Sequence, residues 1–330
     1  MTTPLREALD RIAQEALASY DLPEGTTAAL VNQSENATYV VRTPSGEAVA
    51  ALRVHRLDYH PDGAIASELR WVESLREEKV VTTPAVLSGR GGEQVLTVAD
   101  PEGQTEPRSV VMFEWLPGAS PDETSLVDSF ADLGELTARL HEHVRRWPQP
   151  GGFRRFAWGY DEAFGSIARW GRWQDAPGVD DAAREVLTRL DHTLRDRLAA
   201  YGRGSDRWGL IHADLRLANL LVTPGRPTAV IDFDDCGFGW FLYDFGAAVS
   251  FIEDHPDVPA ATELWLEGYR RVAPLDQEDA AELRTFVLFR RLLLLAWIGS
   301  HGDVPEAQAL APTFAMGTCT LAEEYLSSHT

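Results

Sequence analysis

Lysine is all but missing from this chain: of 30 basic residues only Lys79 is a lysine, so a permanent cation needed anywhere else has to be an arginine. Cysteine is nearly as scarce. Cys236 and Cys319 are too few for a disulfide framework or a zinc cluster, and both read as core residues. Long apolar runs are lacking too. The longest, 285–298, is interrupted by Arg290 and Arg291 and falls short of the roughly 20 residues a membrane span needs, so it reads as a buried helix and no membrane partner is expected. The first residues, Met1 to Glu7, carry no basic stretch followed by an apolar one; no export signal is expected, and the cytoplasm is the expected location. Positive charge is in deficit. With 51 acidic residues the formal net charge is −21, which repels a nucleic-acid backbone and argues against such a partner. The acidic surface either serves solubility alone or draws in a cationic substrate.

What is present suits a two-lobed globular protein. At 330 residues the chain exceeds the usual domain of about 100–150 residues, and a cleft between lobes is the usual place for a small-molecule site. Leu5, Leu9, Ile12 and Ala16 repeat at helical spacing. The period then changes to that of strands over 27–31, 37–42 and 48–54, the last two joined by a turn at Pro44-Ser45-Gly46. Asp62 is placed to cap a helix carrying Ile65, Leu69, Val72 and Leu75, and two more strands are expected at 94–98 and 109–115. After Pro117-Gly118 the pattern is helical, with helices expected at 161–170, 180–201, 243–252, 262–272, 278–298 and 305–327. The boundary is therefore expected between 1–117, a β-rich lobe, and 118–330, a larger and mostly helical lobe. Set among the later helices is one β-rich island, 209–232.

That island holds the chemistry. It reads Ile211-His212-Ala213-Asp214-Leu215-Arg216-Leu217-Ala218-Asn219, followed after a short strand by Ile231-Asp232-Phe233-Asp234-Asp235. Phosphoryl transfer rests on positioning and charge neutralisation; it needs a carboxylate to accept the hydroxyl proton and oxygen ligands to hold Mg²⁺ on the β- and γ-phosphates. Asp214 suits the base. Asn219 suits a neutral metal ligand and Asp232, at the end of the next strand, a charged one. The chain holds three asparagines, so one placed five residues after the aspartate of His-x-Asp is a specific signal. His212 reads as a loop-packing residue.

His-x-Asp-x-x-x-x-Asn followed by Ile-Asp-Phe-Asp-Asp resembles the catalytic and metal-binding motifs of the aminoglycoside phosphotransferase and choline kinase family. The longer string 231–239, with Tyr243-Asp244, is similar to the subgroup of homoserine kinases and the bacterial stress-response kinase. The resemblance implies an α+β, protein-kinase-like fold with a β-rich N-terminal lobe and a larger, mostly helical C-terminal lobe, using Mg²⁺ and ATP or GTP as phosphate donor. It makes Asp214 the base, Asn219 and Asp232 the metal ligands, and Asp244 a buried brace for the catalytic loop.

A kinase of this kind also needs a cation on the third strand, paired with a helix glutamate. Arg53 in Ala-Ala-Leu-Arg-Val takes that place, where the family has lysine, and Glu68 lies on the following helix. No glycine-rich loop lies between the first two strands. Asn32-Gln33-Ser34-Glu35-Asn36 stands there, and Ser34 and Asn36 are its candidate phosphate contacts. Glu114 and Leu116 lie where a kinase hinge presents its backbone to the purine. Arg216, two residues after the base, is placed to touch the γ-phosphate or is an exposed loop arginine. His141-Glu142-His143 is not a metal pair, because residues i and i+2 of a helix point apart. The expected reaction is transfer of a γ-phosphate to a hydroxyl of a small molecule such as an amino alcohol, an aminoglycoside or another antibiotic. Asp234, Asp235, Glu253, Asp254 and Asp257 are the candidate carboxylates for a cationic acceptor. Two alternatives stay open: a Ser/Thr protein kinase of the stress-response type, against which stands the lack of a recognisable activation segment between Asp232 and Asp244, and a nucleotide-binding pseudokinase.

Overall fold

A computed structural model describes residues 4–33, 36–121, 126–166 and 168–328. The described chain divides into two compact units, one made of 1–119, 149–155 and 221–234, the other of 120–148, 156–220 and 235–330.

The first unit is built on an antiparallel sheet. Its helices are α1 (Pro4–Ala16) and α2 (Ala64–Glu77); its strands are β1 (Thr27–Gln33), β2 (Ala37–Arg42), β3 (Ala48–Val54), β4 (Val86–Leu87), β5 (Leu96–Val98) and β6 (Arg108–Glu114). The strand order is β1-β2-β3-β6-β4, with β5 also on β6. Strand alternation explains what each face carries. Leu52 and Val54 of β3 join Leu9, Ile12 and Ala16 of α1 in one buried cluster, and Arg53 between them projects to the opposite face, where it meets α2. Fully burying one such aliphatic side chain contributes about 1.5–3 kcal/mol, so the α1 face is enough to fix which way β3 presents its arginine. β3 lies between β2 and β6, with Arg53 opposite Thr38 and Val111.

Two local expectations are corrected. Asp62 does not cap α2: Gly63, at φ +79°, is the N-cap, and glycine has no side chain to accept from the first-turn N–H groups. The two-residue strand β4 is too short to show a period and was not foreseen.

After β8 (Leu220–Leu221), strand β9 (Ala229–Val230) adds to the first unit through a parallel bridge from Ala229 to Thr82, and the chain runs on into Ile231 and Asp232. The second unit contains α3 (Leu126–Arg146), α4 (Tyr160–Phe164), α5 (Asp181–Tyr201), β7 (Trp208–Ile211), β10 (Gly237–Trp240), α6 (Tyr243–Ala248), α7 (Val258–Arg270), α8 (Gln277–Ala281), α9 (Leu283–Ser300) and α10 (Pro305–Ser327). The helix expected at 161–170 stops at Phe164, where Gly165 turns extended, and the one at 278–298 is broken at Glu282 into α8 and α9. Asp276 caps α8, accepting from the Asp279 N–H at 2.8 Å, which starts a separate short helix there. α9 is the buried spine, packed on α6 and α10. α3 crosses α7 so closely that a Cβ on Gly268 would stand 1.9 Å from the Ala131 carbonyl oxygen. β7 and β10 pair antiparallel, Ile211 opposite Gly237, and β7 delivers the chain to His212.

Candidate active site

In the second unit the segment after β7 is held by one buried carboxylate. Asp244, in the first turn of α6, accepts from the His212 N–H at 3.2 Å and the Ala213 N–H at 2.7 Å. Ala213 sits at φ +66°, a left-handed conformation that costs a non-glycine residue of order 1–3 kcal/mol, and these bonds hold it there. The far side of Asp244 meets His141 of α3, whose Nε2–H donates to Asp244 at 3.0 Å while its Nδ1 accepts from the Tyr269 hydroxyl at 3.0 Å. Burial lowers the His141 pKa, with Asp244 opposing that only in part, so the ring is neutral. His212 is fully buried, and its Nδ1 accepts from the Asp214 N–H at 3.3 Å.

Asp214 comes next, and its two oxygens are used differently. Oδ2 accepts from the Asn219 amide at 2.8 Å, and the same Nδ2 bonds the Asp214 carbonyl at 2.7 Å. Oδ1 accepts from Arg290 at 2.9 Å, with Arg216 Nε 3.1 Å away as an ion pair. Arg216 reaches on to Glu306 at 3.8 Å and lies over the Phe251 ring. With its nitrogen spent on Asp214, Asn219 keeps its carbonyl oxygen as an acceptor, a hard donor that suits Mg²⁺.

The first unit holds Arg53, Glu68, Asp232 and Asp234. Arg53 is buried and donates to Glu68 at 2.6 Å, with Asp232 at 3.4 Å and Asp234 at 3.6 Å. Burial would lower the Arg53 pKa, yet the carboxylates of Glu68, Asp234 and Asp232 outweigh it and raise it. Asp232 adopts φ +63°, and its side chain is half exposed, an oxygen donor of the kind Mg²⁺ takes. Asp234 accepts from Asn36 at 2.7 Å and lies 2.9 Å from His60 and 3.4 Å from His55. Burial acts to raise its carboxyl, but Arg53 and His60 hold it well below the usual carboxylate range. His55, His60 and Asp234 have the spacing of metal ligands. His55 Nε2 accepts from Arg53 Nε at 3.4 Å, however, so Nδ1 carries the proton, and the cation among these groups is Arg53.

A cavity in the first unit opens beside Arg53 and Asp232, with Val31, Ala51, Val72, Leu116, Leu221 and Ile231 in its largely apolar lining. Glu114 is also at its edge, its carboxylate accepting from the Ala85 N–H at 3.3 Å. Asn36 accepts from the Arg56 N–H as well as bonding Asp234, and Ser34 lies outside the described residues. Of the acceptor carboxylates, Asp234 is engaged as above and Glu253 is buried against Arg291 at 2.5 Å, its pKa raised by burial. Asp235 receives the Trp158 Nε1–H on its carbonyl, and Asp254 and Asp257 are exposed in the segment before α7.

Arg290, His55 and His60 were not picked out as site residues from the sequence, and His141 was noted there only to set it aside as a metal ligand. A signal for Arg290 existed: two adjacent arginines in a buried apolar helix demand carboxylates, and the strongest motif of the chain supplies one.

Comparison with known proteins gives the family. The chain is 52% identical to a microcompartment-associated aminopropanol kinase of known structure, with a TM-score of 0.88, covering 96% of this chain and 97% of that one. It shares the fold of amicoumacin kinase hAmiN, solved with AMP-PNP, Ca²⁺ and Ami, at 19% identity and a TM-score of 0.77 over 97% of this chain and 96% of that one. A homoserine kinase of Gluconobacter oxydans is 25% identical over 286 residues, 82% of each chain. The model of the phosphotransferase enzyme family matches residues 26–283, and the chain belongs to that family as a small-molecule kinase of protein-kinase-like fold with an alcohol group as acceptor.

Proposed function

We propose that this protein phosphorylates the hydroxyl of aminopropanol, or of an amino alcohol of closely similar size, with ATP as donor. The observation that carries the reading is the 52% identity, spread over nearly the whole of both chains, to an aminopropanol kinase. The apolar cavity of the first unit suits adenine, and Arg53, fixed by Glu68, suits the α- and β-phosphates. Asn219 and Asp232 would hold Mg²⁺, which when bound neutralises charge on the β- and γ-phosphates. Asp214 accepts the proton of the acceptor hydroxyl as the new P–O bond forms and the bond to ADP breaks. With Oδ1 occupied by Arg290, the lone pair that receives this proton is on Oδ2, beside Asn219.

The test is ADP release and ³¹P NMR of the product with 1-amino-2-propanol, ethanolamine and homoserine, each with ATP and with GTP. Expected is a phosphate monoester of 1-amino-2-propanol, formed with ATP at the highest kcat/KM of the set. Better turnover of homoserine would reassign the acceptor. No turnover of any acceptor, with Mg²⁺-dependent nucleotide binding retained, would favour the pseudokinase alternative.

A further inference from the structure

We infer that Arg290 is a positioning residue for Asp214, holding the carboxylate so that Oδ2 is the oxygen offered to the acceptor hydroxyl; this rests on Asp214 being the base. α9 carries two adjacent buried arginines, and a buried cation costs several kcal/mol unless it is paired and hydrogen-bonded. Arg291 is settled in a purely internal way: it ion-pairs with buried Glu253, bonds Thr318 at 3.0 Å and stacks on Phe314. Arg290 is satisfied differently. Its carboxylate partner is the partly buried Asp214 of the His-x-Asp motif, 76 residues away in sequence.

The guanidinium is oriented before it meets that carboxylate. One terminal nitrogen donates to the Tyr243 hydroxyl at 2.9 Å, Nε donates to Ser250 at 3.3 Å, and Trp170 lies 5.2 Å from its centre. The other terminal nitrogen is thereby aimed at Asp214 Oδ1. Burial alone would lower the Arg290 pKa, but Tyr243 and Asp214 raise it, so the cation persists at every working pH. The reach depends on α6 lying close to α9: a Cβ on Gly246 would stand 2.5 Å from the Phe286 carbonyl oxygen and 3.3 Å from the Arg290 Cβ. With Oδ1 tied to α9 and Oδ2 to Asn219, the carboxylate cannot rotate about its last torsion without losing a charge-assisted bond. That restraint raises kcat and leaves nucleotide binding alone.

The experiment compares Arg290→Met, Arg290→Lys and Tyr243→Phe, singly and, for Arg290→Met, together with Asp214→Asn. Turnover of 1-amino-2-propanol with ATP and Mg²⁺ is followed alongside ATP hydrolysis to water, so a wrong acceptor does not remove the readout. Expected for Arg290→Met is a kcat loss of about 100-fold with KM for ATP within about two-fold, at the lower end of what general-base catalysis supplies. Arg290→Lys should recover about ten-fold of that, since it keeps the charge but not the fork, and Tyr243→Phe should cost several-fold while leaving Arg290 in place. In the Asp214→Asn background Arg290→Met should change the residual rate by less than about three-fold, because residues that act as a unit are not additive. A merely structural arginine would instead lower the folded fraction and the rate alike in both backgrounds, and that result, or a wild-type kcat in folded Arg290→Lys and Tyr243→Phe, overturns the inference. An active Asp214→Asn would overturn the base assignment itself, which is a different outcome.

Discussion

Asp214 and Arg53 are each bound to groups that would be left buried without them, so their substitutions report chemistry and stability together. Asp214→Asn keeps the shape and an oxygen for Arg290 but removes the proposed proton acceptor; turnover should fall by at least about 100-fold while Mg²⁺-dependent ATP binding, measured by calorimetry, stays. Retention of more than about a tenth of wild-type turnover would mean that another group takes the proton. Arg53→Ala should remove the phosphate contact proposed for Arg53 and weaken ATP binding by about ten-fold or more, with a lower Tm because Glu68 then lies buried without its partner. Arg53→Lys should fall between wild type and Arg53→Ala in both respects. Equal affinities of the two variants would reject a charge role. Asp214, Asn219 and Asp232 stood out in the sequence as candidates because phosphoryl-transfer chemistry calls for such groups at a set spacing along a few residues of chain. Arg290 and His141 could not be read so, since each acts on a partner more than 70 residues away, and only the requirement to satisfy a buried polar group hints at such partners.

Among the elements, the strands of the sheet were legible because 27–31, 37–42 and 48–54 are short runs rich in β-forming residues bounded by turn residues, and α10 was legible over Pro305–Ser327 although Pro312 lies inside it. β4 and β10 escaped, being short and bound by pairing rather than by their own period. Helix contacts are less visible still. The α3–α7 crossing depends on two glycines: a Cβ on Gly134 would come within 2.1 Å of the Trp265 carbonyl, as one on Gly268 would to that of Ala131. Gly268→Ala should therefore force the helices apart and cost about 1–3 kcal/mol, seen as a Tm several degrees lower, although alanine is the better helix former. Gly302→Ala, whose Cβ would meet nothing within 4 Å, should leave Tm unchanged. Equal Tm values for the two variants would reject the close packing. α3 also brings a pH dependence. His141 has its pKa lowered by burial, so below about pH 6.5 the unfolded chain binds a proton that the folded one does not. Stability then rises with pH through that range, by at most about 1.4 kcal/mol per unit for one such histidine. His55, also lowered by burial and by Arg53, acts in the same direction. Thermal melts between pH 5 and 7.5 should show Tm falling on acidification, and His141→Gln should flatten that slope; an unchanged slope would mean that His141 does not titrate differently on folding.

For the whole molecule, the net charge of −21 acts oppositely on the two substrates of the proposed reaction. Protonated 1-amino-2-propanol is drawn towards the protein, whereas ATP with its Mg²⁺ is still an anion and is repelled, so only local cations such as Arg53 and the metal overcome the field for it. Salt near 0.15 M shortens the range of such forces to about 8 Å, which removes the general field but not the contacts. Raising salt from about 0.02 to 0.3 M should therefore lower kcat/KM for the amino alcohol and, in the same experiments, lower KM for ATP. 1,2-Propanediol, which has the hydroxyl and no ammonium, serves as the neutral control: its slow turnover should show little salt dependence at saturating ATP. The opposite slopes matter more than either size, because a general effect of salt on stability or on the catalytic step would move both substrates the same way. If kcat/KM for the amine proved insensitive to salt, or moved in parallel with that of the diol, the acidic surface would serve solubility alone, and recognition of the ammonium group would rest on contacts within the site.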